Sequence, residues 1–313
     1  MSAVGEAAFR EALANLPGID ASDPREAAKA IVREYYACLA GDVGAWRLVH
    51  WRQEFYIHRG TRWMQYSLDD LREVVWKQCH FAGKPVRKRH VDDVVDALRA
   101  ECHRSDTIEP PCWLHKADGL PDPRKIVPME NGLLVLPSRE LLEHTPRFFS
   151  LQSLPFPFLP AAPAAAHWFQ FLSDVWGEDD DSIRLWQWWC GYCLLHRTEQ
   201  QKILLLIGPI RSGKGTMIRL LQALLGKENT ASPTLGSLAQ PFGLASLVGK
   251  LLAVVSDVRL SGRVDIATVV ENLLRVSGED AVTIQRKYLP DLTTTLTSRL
   301  MLVSNELPWF ADT

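Results

Sequence analysis

The stretch that decides the fold runs Ile203-Leu-Leu-Leu-Ile-Gly208-Pro-Ile-Arg-Ser-Gly213-Lys214-Gly215-Thr216. Its leading apolar residues predict a strand, and Met217-Ile-Arg-Leu-Leu221 predicts an amphipathic helix directly after the loop. A strand, a glycine-bounded loop that ends in lysine, and a helix, in this order, form the layout of a phosphate-binding P-loop. The sequence therefore predicts a nucleoside triphosphate site.

The residue types of this loop suit phosphate chemistry. Gly208 and Gly213 let the backbone curl so that its N–H groups point inward at phosphate oxygens, and Lys214 reaches the β- and γ-phosphates. The helix that follows adds the positive end of its dipole. The predicted nucleotide-binding residues are Gly208, Pro209, Ile210, Arg211, Ser212, Gly213, Lys214, Gly215 and Thr216.

One position departs from the usual pattern. Gly215 follows the lysine, where a P-loop usually carries the serine or threonine whose hydroxyl faces magnesium. The hydroxyl must therefore come from Thr216, one residue later, or act through a water molecule.

Two further apolar strands end in polar residues. Leu251–Asp257 ends in an acid, which is where a magnesium-coordinating carboxylate belongs downstream of a P-loop. Arg299–Asn305 ends in an amide that can hydrogen-bond the γ-phosphate or orient the attacking water. Helix-compatible segments at 216–225 and 265–275 alternate with these strands and predict a parallel sheet covered by helices. Ligand groups then gather at the carboxyl ends of the strands.

Composition excludes several classes of protein. The chain has 313 residues, 47% of them hydrophobic, which is enough for two or three domains. Its net charge of −2 excludes an overall basic coat, so any nucleic-acid contact must be local. The sequence has no apolar run of about 20 residues and no secretory signal at its start. It therefore predicts a cytoplasmic protein without a membrane partner.

Six unevenly scattered cysteines are typical of reduced thiols. Two groupings could be read as metal ligands. Cys190 and Cys193 share a helical face inside an apolar run, which favours core packing. The second grouping matches no zinc spacing and favours a solvated loop; it consists of Cys102, His103, Cys112 and His115.

The chain divides into three predicted regions. Residues 1–109 form a small mixed α/β module with a hairpin at Glu54–Tyr66, and residues 110–201 form a linker and helical region. Residues 202–313 carry the P-loop. The helices around Trp168–Phe171 and Trp186–Trp189 are apolar on more than one face, which indicates burial between neighbouring helices or subunits.

Aromatic and basic residues of the first region leave two alternatives open. Trp46, Trp51, Trp63 and Trp76 favour core packing over stacking on bases. The run Lys84–His90 favours a solvated loop over a phosphate contact.

The order of four motifs resembles the superfamily three helicases, and phage and plasmid primase-helicases in particular. The motifs are residues 208–216, 255–257, 277–288 and 302–308. The resemblance implies an AAA+ type parallel sheet preceded by a helical collar. It also implies a homo-hexameric ring that uses ATP and Mg²⁺ to move single-stranded or forked DNA, with a primase as partner.

The resemblance also implies roles for individual residues. Lys214 and Thr216 would bind phosphate and magnesium, Asp257 would be the Walker B acid, and Asn305 would be the sensor. The catalytic set is then Lys214, Asp257 and Asn305. Arg286 and Lys287 would face the DNA; a salt bridge of this pair with Glu279 or Asp280 is the structural alternative.

Three departures from the family affect these roles. Family members often have two adjacent acids at the Walker B position, whereas Ser256 and Val258 flank Asp257 here. The acid that polarises water is therefore open among Glu271, Glu279 and Asp280. The sequence also shows neither a primase domain nor, after Asn305, the segment that carries the family's arginine finger, so we expect slow ATP hydrolysis.

Two other functions remain compatible with the sequence. One is a nucleotide-dependent DNA-binding or assembly module that does not unwind DNA. The other is an enzyme similar to a nucleoside monophosphate kinase, because Gly-Lys-Gly-Thr also occurs there. The Ser-Asn-Glu-Leu-Pro end of the third strand and the large N-terminal half argue against a kinase.

Overall fold

The computed structural model describes residues 18–36, 46–115, 118–256, 265–286 and 289–307. The chain forms two compact units. The first comprises Met1–Pro123 and Leu142–Leu151, and the second comprises Arg124–Leu141 and Gln152–Thr313. Residues 110–201 contribute to both units, so the boundaries of the three-region division stay a prediction.

The helices and strands are as follows. The helices are α1 (Pro24–Tyr35), α2 (Leu68–Gln78), α3 (Lys88–Glu101), α4 (Ala166–Trp176), α5 (Asp180–Cys193), α6 (Lys214–Leu225), α7 (Leu235–Leu238) and α8 (Ile266–Ser277). The strands are β1 (Ile19–Asp20), β2 (Leu48–Trp51), β3 (Glu54–His58), β4 (Trp63–Tyr66), β5 (Cys79–Phe81), β6 (Lys84–Pro85), β7 (Cys112–Trp113), β8 (Ile126–Met129), β9 (Gly132–Val135), β10 (Glu140–Leu142), β11 (Phe148–Phe149), β12 (Ile203–Ile207), β13 (Thr230–Ala231), β14 (Leu252–Ser256), β15 (Ala281–Arg286), β16 (Leu289–Thr295) and β17 (Arg299–Ser304).

The first unit contains the predicted hairpin. Strands β3 and β4 pair antiparallel, with His58 opposite Trp63, and β2 extends the sheet on the other side of β3. The turn contains Gly60 at φ +74°, a left-handed conformation that glycine adopts without strain. The basic run Lys84–His90 is not simply a loop, because its second half forms the first turn of α3.

The tryptophans of this unit divide between core and surface. Trp51 and Trp63 are buried against Phe149, and the Trp63 Nε1–H donates to the Phe148 carbonyl at 3.1 Å. Trp46 packs at the edge of the neighbouring core. Trp76 is 45% exposed, so the core prediction is wrong for this residue. It follows Val75 on α2 and therefore points about 100° away from the buried side of that helix.

The second unit is built on a parallel sheet, as the sequence predicts. Its strand order is β12-β17-β14-β13, and all three pairings are parallel. Ile207 lies opposite Ser304, and Ser256 lies opposite Val303, so the carboxyl ends of the three long strands are nearly level. The last strand in sequence thus lies between the other two.

Helices cover both faces of this sheet. On one face, Met301 and Val303 of β17 join a core that includes Leu172 of α4, Trp186 of α5 and Leu221 of α6. On the other face, the alternate strand residues Leu300 and Leu302 pack with Val269 and Leu273 of α8. The central strand β17 is therefore buried along its whole length, whereas the edge strand β12 leaves Leu205 and Ile207 exposed.

Helices α4 and α5 are only partly buried. Trp186 and Trp189 are in the core, whereas Phe169, Leu185 and Trp188 are exposed. The neighbouring helices therefore account for part of the apolar surface that the sequence predicts to be buried. Whether another subunit covers the rest stays a prediction.

Each of the two cysteine groupings contributes a buried thiol. Cys102 and Cys193 are buried, and burial raises the pKa of the Cys102 thiol to about 12. Within the described ranges, no three His, Cys, Asp or Glu side chains are grouped to hold a metal ion. A helix long and apolar enough to cross a bilayer is likewise absent from those ranges.

A buried histidine makes the first unit sensitive to pH. His58 is 5% exposed, and burial, with a further contribution from the Arg47 guanidinium, lowers the pKa of His58 to about 3. The unfolded chain binds a proton on this residue below pH about 6.5, whereas the folded chain does not. His58 therefore reduces stability progressively as the pH falls from about 6.5 towards 3.

We predict that His58→Gln makes the unfolding free energy less dependent on pH in this window, since an amide does not titrate. Urea unfolding at several pH values measures the effect on both proteins. An equal slope in parent and variant between pH 6 and about 4 would contradict this role of His58.

Candidate nucleotide-binding site

The predicted P-loop lies between β12 and α6. β12 ends at Ile207, and Gly213 caps α6 with φ +87°. The Gly213 carbonyl accepts hydrogen bonds from the N–H groups of Thr216 and Met217, at 2.9 and 3.1 Å. At the other end, the Gly208 N–H donates to the Ser304 carbonyl of β17 at 3.3 Å. The loop is thus anchored to the central strand and to its own helix.

Steric contacts explain both glycines of the loop. A Cβ atom on Gly208 would lie 2.8 Å from Ser212 Oγ, closer than such atoms approach. A Cβ atom on Gly213 would lie 3.1 Å from Val175 Cγ2 and 3.3 Å from Phe171 Cζ, two side chains of α4. Gly213 also has a left-handed backbone, which any other residue adopts at a cost. A larger residue would therefore displace the Ser212 side chain at position 208 and strain the backbone at position 213.

Lys214 points back into its own loop. Its Nζ donates to the carbonyls of Gly208 and Pro209, at 2.6 and 2.8 Å, and to Ser212 Oγ at 3.3 Å. An ammonium group has three donors, and the loop occupies all three. The charge is therefore centred over the concave side of the loop.

Thr216 is exposed on the first turn of α6. Its Oγ1 accepts a hydrogen bond from Arg219 Nη2 at 3.0 Å. The hydroxyl displaced by one residue from the usual position is thus on the surface, where Arg219 donates to it; its role towards magnesium stays a prediction.

The carboxyl ends of the strands bring a second predicted residue to this edge. Asn305 follows Ser304 directly and is exposed beside the P-loop strand. Ser256 ends β14 on the other side of β17 and is also exposed. Asp257 comes next in sequence, but it lies outside the described residues. Its predicted role therefore stays a prediction.

One candidate for the water-polarising acid lies elsewhere. Glu279 accepts a hydrogen bond from Thr198 Oγ1, and Gln201 Nε2 donates to the neighbouring Gly278 carbonyl at 3.1 Å. Residues 198–201 lead into the amino end of β12, so Glu279 lies at the edge of the sheet opposite the P-loop. A strand of six residues such as β17 separates the two edges by roughly 17 Å.

The other two candidate acids are on the surface. Glu271 is exposed on α8, where its Oε1 lies 3.6 Å from Arg275 Nη1. Asp280 is exposed at the start of the hairpin that β15 and β16 form. Within the described residues, the structure therefore brings none of the three acids into contact with the P-loop.

The predicted DNA contact lies at the end of the same hairpin. Arg286 ends β15, and its Nε donates to the Pro290 carbonyl of β16 at 3.2 Å. Lys287 lies outside the described residues. The hairpin register, with Ala281 opposite Thr295, places Arg286 at the turn end of the hairpin.

A buried arginine organises the opposite edge, which sequence periodicity did not indicate. Arg299 is 2% exposed at the amino end of β17. Its Nη2 donates to the Arg197 carbonyl at 2.5 Å, its Nη1 donates to the Thr297 carbonyl at 3.0 Å, and its guanidinium lies 4.9 Å from the Tyr192 ring centroid. Burial lowers the pKa of the Arg299 guanidinium. Arg299 therefore binds the end of α5 to the central strand.

We predict that Arg299→Ala lowers the unfolding free energy by roughly 2–5 kcal/mol, because two partly buried carbonyls lose a charged donor and the buried guanidinium is lost from the Tyr192 ring. Its nucleotide affinity should equal that of the parent. Arg275→Ala, which removes one exposed ion pair, is the matched control and should cost less than about 0.5 kcal/mol. Equal stability losses in the two variants, from denaturant titration, would contradict the assignment.

Comparisons with known proteins agree with this architecture. Residues 28–177 match the family described as D5 N terminal like, and residues 206–313 match a family of unknown function, DUF5906. An A-form apo structure of the NrS-1 C-terminal region aligns with TM-score 0.54 and 15% identity, over 83% of this chain and 54% of that one. A second apo structure of the region aligns with TM-score 0.52 and 16% identity, over 83% and 55%.

The chain thus spans about half the length of these solved chains, with which it shares a fold. The D5 N-terminal-like match supports the resemblance to phage primase-helicases that the motifs indicate.

Proposed function

We propose that this chain is the ATP-dependent DNA helicase motor of a phage, plasmid or mobile-element replication protein. In this proposal it is an AAA+ motor of the superfamily three type with a helical collar. It acts in the cytoplasm as a homo-hexameric ring on single-stranded or forked DNA, with a primase as partner. The observation that carries the proposal is the Lys214 ammonium, enclosed by a glycine-bounded loop at the carboxyl edge of a parallel sheet.

The residues of the loop fit a triphosphate. A Cβ atom on Gly208 would displace the Ser212 hydroxyl, one of the groups that holds Lys214, so glycine at this position keeps the lysine in place. Lys214 already places its charge over that side, bound only to neutral oxygens. Phosphate oxygens are stronger acceptors for an ammonium group than carbonyls are. ATP would therefore replace the internal hydrogen bonds of Lys214.

Magnesium would be held by Thr216 and Asp257, which supply a hydroxyl and a carboxylate, the oxygen ligands that the ion prefers. Bound Mg²⁺ neutralises charge on the β- and γ-phosphates during transfer. Asn305, beside the P-loop strand, would hydrogen-bond the γ-phosphate or hold the attacking water in line. Among the described residues, Glu271, Glu279 and Asp280 do not contact the loop. The acid that polarises this water would therefore be another residue, or one of these three after a rearrangement.

DNA would contact the hairpin of β15 and β16. Arg286 is at its turn end, and Lys287 follows in sequence. Two adjacent cations can neutralise two phosphates of a single strand without reading its bases. This arrangement suits a motor that moves along DNA of any sequence.

The first test of this proposal removes the lysine. We predict that Lys214→Ala weakens ATP binding by roughly 10- to 100-fold, because a charge-assisted contact is worth about 1.5–3 kcal/mol. Lys227→Ala, which removes another exposed lysine after α6, is the control. Isothermal titration calorimetry measures both variants, and parental affinity in Lys214→Ala would contradict a nucleotide site here.

A second test separates binding from turnover. Asp257→Asn should retain ATP binding and lose magnesium-dependent hydrolysis, since an amide does not supply the carboxylate's charge. Phosphate release, with and without single-stranded DNA, measures turnover. Hydrolysis at the parental rate in Asp257→Asn would assign the metal to another acid. ATP binding without any hydrolysis in the parent protein itself would favour a nucleotide-dependent DNA-binding or assembly module.

A third test concerns DNA. Replacing Arg286 and Lys287 by alanine should weaken single-stranded DNA binding and flatten the slope of log K against log salt by about 1.4, or 0.7 per phosphate contact. The double variant Lys29→Ala, Arg33→Ala removes two surface cations of α1 as a control. Fluorescence anisotropy at several salt concentrations gives the slopes; a parental slope in the hairpin variant would place the DNA elsewhere.

A further inference from the structure

An apolar groove lies between α4, α5 and α6. It encloses about 470 Å³ and is almost entirely apolar. Its lining consists of Ala165, Trp168, Trp186, Gln187, Cys190, Leu220, Ala223 and Leu224. Ala223 and Leu220 are themselves exposed to solvent along one side. A cavity of this size can take one or two bulky apolar side chains.

The opposite side of α5 carries side chains of that kind. Trp188 is 72% exposed and Leu185 is 55% exposed, and the two lie one turn apart on the helix. At 100° per residue, their mean direction is roughly 150° away from that of Trp186 and Cys190, which line the groove. Single exposed apolar residues are common, but tryptophan is among the residues most enriched at the centres of protein interfaces.

We propose that the groove of one copy receives Trp188 and Leu185 of a second copy. This inference deepens the proposed ring, because it names the surfaces through which copies would meet. Each copy has the projecting residues and the groove on opposite sides of α5, so it contacts one neighbour through each. An interface of this heterologous kind is repeated head to tail, and it closes into a ring when the rotation permits.

The charges beside the two surfaces are complementary. Four exposed acids, residues 178–181, lie at the start of α5, before Leu185. Among the described residues, only Asp181 of these four forms an ion pair, with Arg184 of the same helix at 2.5 Å. Arg219 lies one turn before Ala223 on α6, beside the groove, and is exposed. A head-to-tail contact would bring the acidic end of α5 in one copy towards the base of the next. Two identical surfaces facing each other would instead bring like charges together.

The groove is linked to the glycine-bounded loop through one side chain, Phe171. Its wall residue Trp168 stacks on Phe171, with ring centroids 5.5 Å apart, and Phe171 lies 3.3 Å from the Cβ position of Gly213. The opposite wall is α6, which begins at Lys214. An occupied groove would restrict both walls, so assembly and ATP binding would each strengthen the other.

The test uses two complementary variants in sedimentation velocity without nucleotide. Trp188→Glu removes the projecting residue and keeps the groove, whereas Ala223→Glu blocks the groove and keeps the projecting residue. Each variant alone should lose self-association. An equimolar mixture should form a one-to-one dimer and nothing larger, because only one of the two possible contacts is intact. Leu274→Glu, at a leucine of α8 that is 61% exposed, is the matched control and should assemble like the parent.

Several results would overturn the proposal. A parent that stays monomeric at every concentration would do so, as would a mixture of the two variants that stays monomeric. If Ala223→Glu loses assembly but Trp188→Glu assembles like the parent, the groove has another occupant. Calorimetric ATP titration of the same samples separates this inference from the nucleotide site, because assembly is measured without ATP. If the protein assembles but does not bind ATP, the proposed motor function is wrong and the proposed interface still holds.

Discussion

The position of β17 between β12 and β14 is the constraint on which the rest of the second unit depends. Its hydrogen bonds to both neighbours set their register, and they make the ends of three strands level at one edge. The P-loop, Asn305 and the end of β14 meet there because parallel strands place their carboxyl ends together. If β17 lay at the edge of the sheet instead, Asn305 would not lie between the ends of β12 and β14.

The two edges of this sheet have different chemistry. At the carboxyl edge, exposed polar residues and a lysine bound only to neutral oxygens leave room for a ligand. At the amino edge, Arg299 is buried, and the segment before β12 is hydrogen-bonded to Gly278 and Glu279. A buried cation is costly unless hydrogen bonds compensate it, and the Nη1 and Nη2 groups of Arg299 donate to two carbonyls at this edge. The carboxyl edge is therefore exposed and polar, whereas hydrogen bonds hold the amino edge together.

The faces of the sheet determine what remains on the surface. Strands that are apolar on both sides require helices on both sides, and α4, α5 and α6 supply one layer. Their inward residues complete the core, but α5 also projects Trp188 and Leu185 outward. Surface of this kind is costly in water unless something covers it. The apolar content of these helices thus exceeds what the core of one copy uses.

The sequence by itself determined the local elements: the strand, glycine-bounded loop and helix at residues 203–225, the other apolar strands, the hairpin at Glu54–Tyr66 and the helices around them. Spacing and residue type encode these because they depend on neighbours a few positions away. Only the tertiary structure decided three features. These are the order of the strands, the position of Glu279 at the far edge of the sheet, and the burial of Trp186 while Trp188 is exposed. These depend on contacts between residues distant in the chain, such as Arg197 with Arg299, which local periodicity does not record.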